Sequence, residues 1–156
     1  MFHPASNATN SVLLTIGIDD GGNTGSGGAK SGLSFIVLNI DAVNDAPVNS
    51  VPTGQTVQQD GTLVFSTANG NPISVSDVDI GGNTMRVTLT ATHGLLTLSS
   101  STGLVFTVRS GIGNGTMTFE GTLSDINNAL TRPPFNPSRG YNGGAATQIT
   151  RNDLGG

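Results

Sequence analysis

Met85-Arg86-Val87-Thr88-Leu89-Thr90-Ala91 reads as one half-buried β-strand, with Met85, Val87, Leu89 and Ala91 alternating with Arg86, Thr88 and Thr90. A period of two puts one set of side chains on each face of a pleated sheet, whereas a helix would scatter them around its axis. Outward from this stretch, shorter apolar runs of the same kind recur at residues 12–18, 33–40, 62–66, 73–75, 95–98, 104–108 and 116–119. They are rich in Val, Ile, Leu, Phe and Thr, which suit a pleated surface. Asp60-Gly61, Gly70-Asn71-Pro72, Gly81-Gly82-Asn83 and Asn114-Gly115 punctuate them as turns. Many short strands at this spacing predict a β-sandwich or barrel. One helical face interrupts the pattern: Leu123, Ile126 and Leu130 stand at i, i+3 and i+7. Thr122 or Ser124 can cap its start and Pro133-Pro134 stops it, so the expected element is a short crossover helix. The expected core is Val64, Ile73, Val75, Met85, Val87, Leu89, Leu96, Leu98, Val105, Phe106, Met117, Phe119, Leu123, Ile126 and Leu130.

Composition agrees with a turn-rich chain. Gly supplies 23 of the 156 residues, and Glu120 is the only Glu, so the acidic groups are almost all Asp, a residue of loops more than of helix faces. The absence of Cys rules out disulfides, zinc-thiolate sites and thiol nucleophiles. A net charge of −4 with scattered basic residues argues against nucleic-acid binding. No apolar run approaches the roughly 20 residues of a membrane-spanning helix. The first residues carry no signal-peptide pattern, so an export signal, if used, lies elsewhere.

The chain also echoes itself. Leu14-Thr15-Ile16-Gly17-Ile18-Asp19-Asp20-Gly21-Gly22 resembles Thr147-Gln148-Ile149-Thr150-Arg151-Asn152-Asp153-Leu154-Gly155. Both pass from a strand-like stretch into an acidic, Gly-rich loop. This predicts a repeat cut out of register. Residues 1–10 form a disordered tail. Residues 11–43 are the C-terminal hairpin of one repeat, or a strand donor that completes the next. Residues 44–156 are a following repeat without its last hairpin. The hairpin is expected to complete the sandwich of its own chain or, by strand swapping, that of a second copy.

Four stretches carry a family resemblance. Asp41-Ala42-Val43-Asn44-Asp45-Ala46-Pro47 looks like an inter-repeat linker. Val75-Ser76-Asp77-Val78-Asp79-Ile80-Gly81-Gly82-Asn83 looks like an Asp-x-Asp-x-Gly-x-Asn loop. Gly121-Thr122-Leu123-Ser124-Asp125-Ile126-Asn127, with Leu130, Pro137 and Tyr141-Asn142-Gly143, looks like the last third of such a repeat, and Asn23-Thr24-Gly25-Ser26-Gly27-Gly28 adds a matching loop. In this order they resemble the cadherin-like tandem repeats of large bacterial surface adhesins. The resemblance implies an immunoglobulin-type, all-β antiparallel sandwich with one short crossover helix. It further implies a calcium-stiffened spacer in an extracellular or cell-surface protein, with neighbouring repeats of the same polypeptide as partners. The chain departs from the animal cadherin pattern at Ala46, where a second Asn is expected, and has no Glu-containing calcium motif. Fewer ligands per ion are the expected result. Arg132, Arg139 and Arg151 also stand where neutral residues are expected.

Calcium takes six to eight oxygen ligands, so carboxylates and carbonyls must converge from several loops. Asp77 and Asp79 stand two apart, and Gly81-Gly82 lets Asn83 turn back toward them. Asp41, Asn44, Asp45 and Asp60 complete the expected ligand set at one pole of the implied sandwich. Each acidic turn also reads simply as a turn, and Asp19 and Asp20 fit a solvated hairpin loop or a second ion. Nothing in the sequence supports an enzyme. Gly-x-Ser-x-Gly, His-Glu-x-x-His and phosphate-loop motifs are absent. His93 reads as a buried or turn-lining residue. Glu120 and Asp125 form a conceivable carboxylate pair, but Asp125 falls in the first helical turn, where negative charge is favoured anyway. The alternative function is a carbohydrate- or surface-ligand-binding module. A chain with no Trp and only Tyr141 as tyrosine has little with which to build an aromatic sugar platform.

Overall fold

The computed structural model describes residues 1–22 and 26–155, so Asn23, Thr24 and Gly25 of the Gly-rich loop lie outside the described residues. The chain divides into two compact units, Met1–Val43 and Asn44–Gly156.

The first unit is an antiparallel hairpin of β1 (Val12–Asp19) and β2 (Ser31–Leu38), paired from Val12↔Leu38 to Asp19↔Ser31. Ser11 Oγ donates to Asn39 Oδ1 (2.9 Å) just beyond its open end. At the other end Asp19 accepts the Gly21 N–H (2.6 Å), and Asp20 accepts those of Gly22 (2.9 Å) and Lys30 (2.8 Å).

The second unit is an antiparallel all-β sandwich with one short helix. Its centre is β6 (Thr84–Ala91), whose Met85, Val87, Leu89 and Ala91 are buried as the alternation requires. β6 pairs with β9 (Thr116–Thr122) on one side and β11 (Thr147–Asn152) on the other, and β8 (Val105–Val108) adds beyond β9, giving the order β11-β6-β9-β8. The facing sheet is β4 (Leu63–Val64), β10 (Pro134–Pro137) and β7 (Gly94–Leu96), with β10 in the middle. β3 (Val48–Ser50) and β5 (Ser74–Ser76) form a separate pair. One core joins these layers, with Met85, Val87, Leu89, Met117 and Phe119 from the larger sheet and Leu96 and Phe135 from the smaller. The close packing of the smaller sheet needs Gly94, because a Cβ there would lie 2.3 Å from the Phe135 ring.

The helix, α1 (Leu123–Ala129), follows β9 directly and buries Ile126 and Ala129, with Leu130 beneath its end. Thr122 caps it: its Oγ1 accepts the Asp125 N–H (3.2 Å) and donates to Asp125 Oδ2 (2.7 Å).

The core differs from expectation at its margins. Val105 is exposed, because on edge strand β8 it shares the outer face with its partner Glu120 while Phe106 turns inward beside Phe119. Val64, Phe106 and Leu123 are half-buried. Phe65, Ile80, Ala129 and Phe135 join the core unforeseen. β3 and β10 were not foreseen as strands either.

Candidate metal centre

The loop between β5 and β6 carries the one place where two of the expected ligands meet through their side chains. Asp77 folds back on it, and its Oδ1 accepts the N–H groups of Asp79 and Ile80 (both 3.2 Å). This is the local bonding that makes Asp a turn residue. Ile80 is buried beneath the loop, Gly81 takes a positive φ of 55°, and the Asn83 N–H closes the turn on Ile80 O (2.9 Å). β5 is fixed just upstream by α1: Asn127 accepts the Val75 N–H (2.9 Å) and donates to the Val75 carbonyl (2.8 Å).

The loop leaves two carboxylate oxygens, Asp77 Oδ2 and Asp79 Oδ1, buried without a hydrogen-bond partner. Burial, followed by the neighbouring Asp79 carboxylate, raises the Asp77 pKa above its ordinary value. Residues 44–47 reach the same neighbourhood. The Asp45 N–H donates to Asp79 Oδ2 (2.7 Å), Asn44 Nδ2 donates to Asp153 Oδ2 (2.6 Å), and Arg151 donates through Nε (2.7 Å) and Nη2 to the Pro47 carbonyl. Asp153 is thereby held below the usual carboxylate range, first by Asn44 and then by the Gly155 N–H.

The seven expected ligands therefore divide. Asp77 and Asp79 stand together, Asp45 joins them through its backbone, and Asn83 closes their turn. Asn44 is turned to Asp153. Asp41 belongs to the first unit. Asp60 does not belong to this pole. It accepts the Gly140 N–H (2.7 Å), and the Ser138–Tyr141 turn is bonded to His93 O, beyond the far end of β6. The Asp77 loop precedes the near end of that eight-residue strand, about 24 Å away at its rise per residue. Among the described residues, no group of three or more His, Cys, Asp or Glu side chains is gathered that could hold a metal ion. Any hard cation here would draw the rest of its shell from backbone carbonyls, amides and water.

The residues weighed for catalysis have other partners. Glu120 is ion-paired with Arg86 (2.6 Å) and Asp125 is in the helix cap. His93 lines an exposed turn at φ 53° and stacks flat on Tyr141, with ring centroids 4.2 Å apart. Sequence reasoning missed Asn127, Arg151 and Asp153. Asn127 and Arg151 carry no local signal, since their partners lie 52 and 104 residues away. Asp153 was visible in the internal echo. Among the described residues, no helix is long and apolar enough to cross a membrane. In comparison with known proteins, no family model matches the chain, and no curated protein or solved structure matches it either.

Proposed function

We propose that the second unit is a calcium-binding structural module of the kind strung together in bacterial cell-surface adhesins, as its sequence resemblance to cadherin-like repeats implies. The observation that carries this reading is the pair of buried, unpartnered oxygens on Asp77 and Asp79. Two adjacent carboxylates withdrawn from water repel each other, and a divalent cation or a proton relieves that repulsion. Asp77 and Asp79 would hold the ion, and calcium would supply charge neutralisation and oxygen coordination, not chemistry. Asp45 already leans on Asp79, so an ion at the pair would also fix the segment that leads into the module. The role is that of a spacer at a cell surface, without catalysis.

The test is a thermal melt at neutral pH in EDTA, in millimolar calcium and in magnesium, on the wild type and on Asp77→Asn. The expected result is a calcium-specific rise in Tm that Asp77→Asn abolishes. The variant keeps the Oδ1 acceptor for Asp79 and Ile80, so it should melt higher than wild type in EDTA, where the buried charge is unrelieved. No calcium shift in the wild type would reduce the loop to a turn with a shared proton. The ligand-binding alternative has in its favour a cleft of about 630 Å³ in this unit. The face of Tyr141 on that cleft's rim is nonetheless taken by His93.

A further inference from the structure

Asn-Gly occurs three times in the second unit, at Asn69-Gly70, Asn114-Gly115 and Asn142-Gly143. The dipeptide has a chemistry of its own. A glycine carries no Cβ, so its backbone nitrogen can swing onto the side-chain carbonyl carbon of the asparagine before it. Whether it does so depends on how firmly the Asn backbone, the Asn side chain and the Gly N–H are held by other groups.

Two of the three sites are held. At the first, the Gly70 N–H donates to the Thr67 carbonyl (3.0 Å) and Asn69 Nδ2 donates to the Val64 carbonyl (2.9 Å). The Asn69 N–H is also bonded, to the Ser66 carbonyl and hydroxyl (both 3.2 Å). Nucleophile and leaving group are therefore both occupied. At the second, Asn114 exchanges backbone bonds with Leu96 (2.9 Å each way), and Asn114 Oδ1 accepts the N–H groups of Ser110 (3.2 Å) and Gly111 (3.1 Å). Ring closure there would have to turn an anchored backbone and an anchored side chain together.

Asn142 is different. It is exposed, and neither its side-chain amide nor the Gly143 N–H has a hydrogen-bond partner among the described residues. The chain is tied on either side of the pair. The Tyr141 N–H donates to the Ser138 carbonyl (3.0 Å), and Ala146 exchanges bonds with Thr92, its N–H to Thr92 Oγ1 and the Thr92 N–H to its carbonyl (both 2.9 Å). Across the pair itself runs the bond from the Tyr141 hydroxyl to the Gly144 carbonyl (2.8 Å). The glycine is not incidental. A Cβ at position 143 would lie 2.6 Å from the Tyr141 hydroxyl oxygen and 2.8 Å from the ring carbon that bears it. The packing of Tyr141 thus requires a glycine there, and so leaves Asn142 beside the residue that lets it react.

We propose that Asn142 is a self-modification site, at which the folded chain converts asparagine to aspartate and isoaspartate while Asn69 and Asn114 are spared. The Gly143 nitrogen attacks Asn142 Cγ. The N–Cγ bond forms, the Cγ–Nδ2 bond breaks, and ammonia leaves with the proton that Gly143 gives up. Water then opens the five-membered imide at either carbonyl, to aspartate or to isoaspartate, and no oxidant or reductant takes part. The place gives the product its effect. Tyr141, Asn142, Gly143 and Gly144 line the cleft, and no described residue that lines it is charged. Modification puts a carboxylate on this neutral rim, and isoaspartate also adds one carbon to the main chain between Tyr141 and Gly144. The Tyr141–Gly144 bond and the stack of Tyr141 on His93 then lose register. The Asp77–Asp79 loop, at the opposite end of β6, is untouched.

The experiment is incubation of the 156-residue chain at mildly alkaline pH, folded and in guanidinium chloride, followed by peptide mapping that separates the asparagine, aspartate and isoaspartate forms. In the folded chain Asn142 is expected to convert at least about tenfold faster than Asn69 and Asn114, whose anchoring bonds must first open. In denaturant the three sites should react at similar rates. Tyr141 emission, which stands alone because the chain has no Trp and no other Tyr, should change in step with isoaspartate formation. Asn142→Gln, which would have to close a larger ring, should abolish the modification and hold that emission steady. A folded chain in which Asn69 or Asn114 reacts as fast as Asn142 overturns the proposal. So does an order of rates that denaturant leaves unchanged, since the selectivity would then belong to the local sequence and not to the fold.

Discussion

β6 with β9 and β1 with β2 are ladders of similar length built from similar residues, yet they meet opposite fates. In the first, the apolar set lies on one face and is sealed by a second sheet and a helix, while the outer face carries Thr88 bonded to Thr118 (2.9 Å) and Arg86 paired with Glu120. In the second, apolar residues occupy both faces and both are exposed. Periodicity and β-propensity are satisfied equally well in each. Alternation therefore specifies a strand and its pleat, but the number of apolar faces specifies how many neighbours it needs.

The largest expected difference lies in truncating a ring from each ladder. Phe119→Ala removes a fully buried ring packed against Phe106 and should cost about 3–5 kcal/mol in urea denaturation of the second unit. Phe35→Ala should shift that same transition by less than about 0.5 kcal/mol in dilute solution. A Phe35 effect that grows with protein concentration would break the contrast and show the hairpin covered by another copy. Next comes the polar pin that ties β5 to α1. Asn127→Ala strands both backbone groups of Val75 and should cost about 1–3 kcal/mol by the same measurement. An unchanged midpoint would mean that water replaces Asn127 without loss.

The smallest effect is in acid and is read from carboxyl chemical shifts. Asp20 and Asp153 are held below the ordinary carboxylate value, Asp20 mainly by the Lys30 N–H and Asp153 mainly by Asn44. Their contribution is present above the unfolded value and disappears as pH falls through the folded one. Asp77 runs the other way: raised by burial, its contribution is full below the unfolded value and is lost as pH rises through the folded one. Titrations in which Asp77 ionises before Asp20 would reverse this order and remove the basis for a relieved charge pair.

Much of the fold was legible because its central elements obey one period. Residues 85–91 and 116–119 announced themselves as strands, and Leu123, Ile126 and Leu130 announced the helix as a stripe with a capping Thr. β10 did not, because Pro134 and Pro137 read as breakers, although Pro is tolerated where its missing N–H is not needed. β11 offers Ile149 alone among polar residues, so its pairing with β6 shows only as a weak echo of β1. The Asp77–Asp79 pair was legible from spacing, since residues two apart on a tight loop must be close. Asp60 was not placed correctly. An Asp before a Gly makes the same turn at either end of a sandwich, and only the Gly140 and His93 bonds reveal which end.

The segment at residues 44–47 has a mechanical consequence. Tension applied to the chain ahead of Asn44 falls first on bonds from Asn44, Asp45 and Pro47 to three separate receivers: Asp153, Asp79 and Arg151. Two of these lie on or just past β11, and the third lies on the loop before β6, so the load divides between neighbouring strands of one sheet. Because β3 follows immediately, its short ladder with β5 is shielded until these side-chain ties give way, and the module yields in stages and not at a single strand.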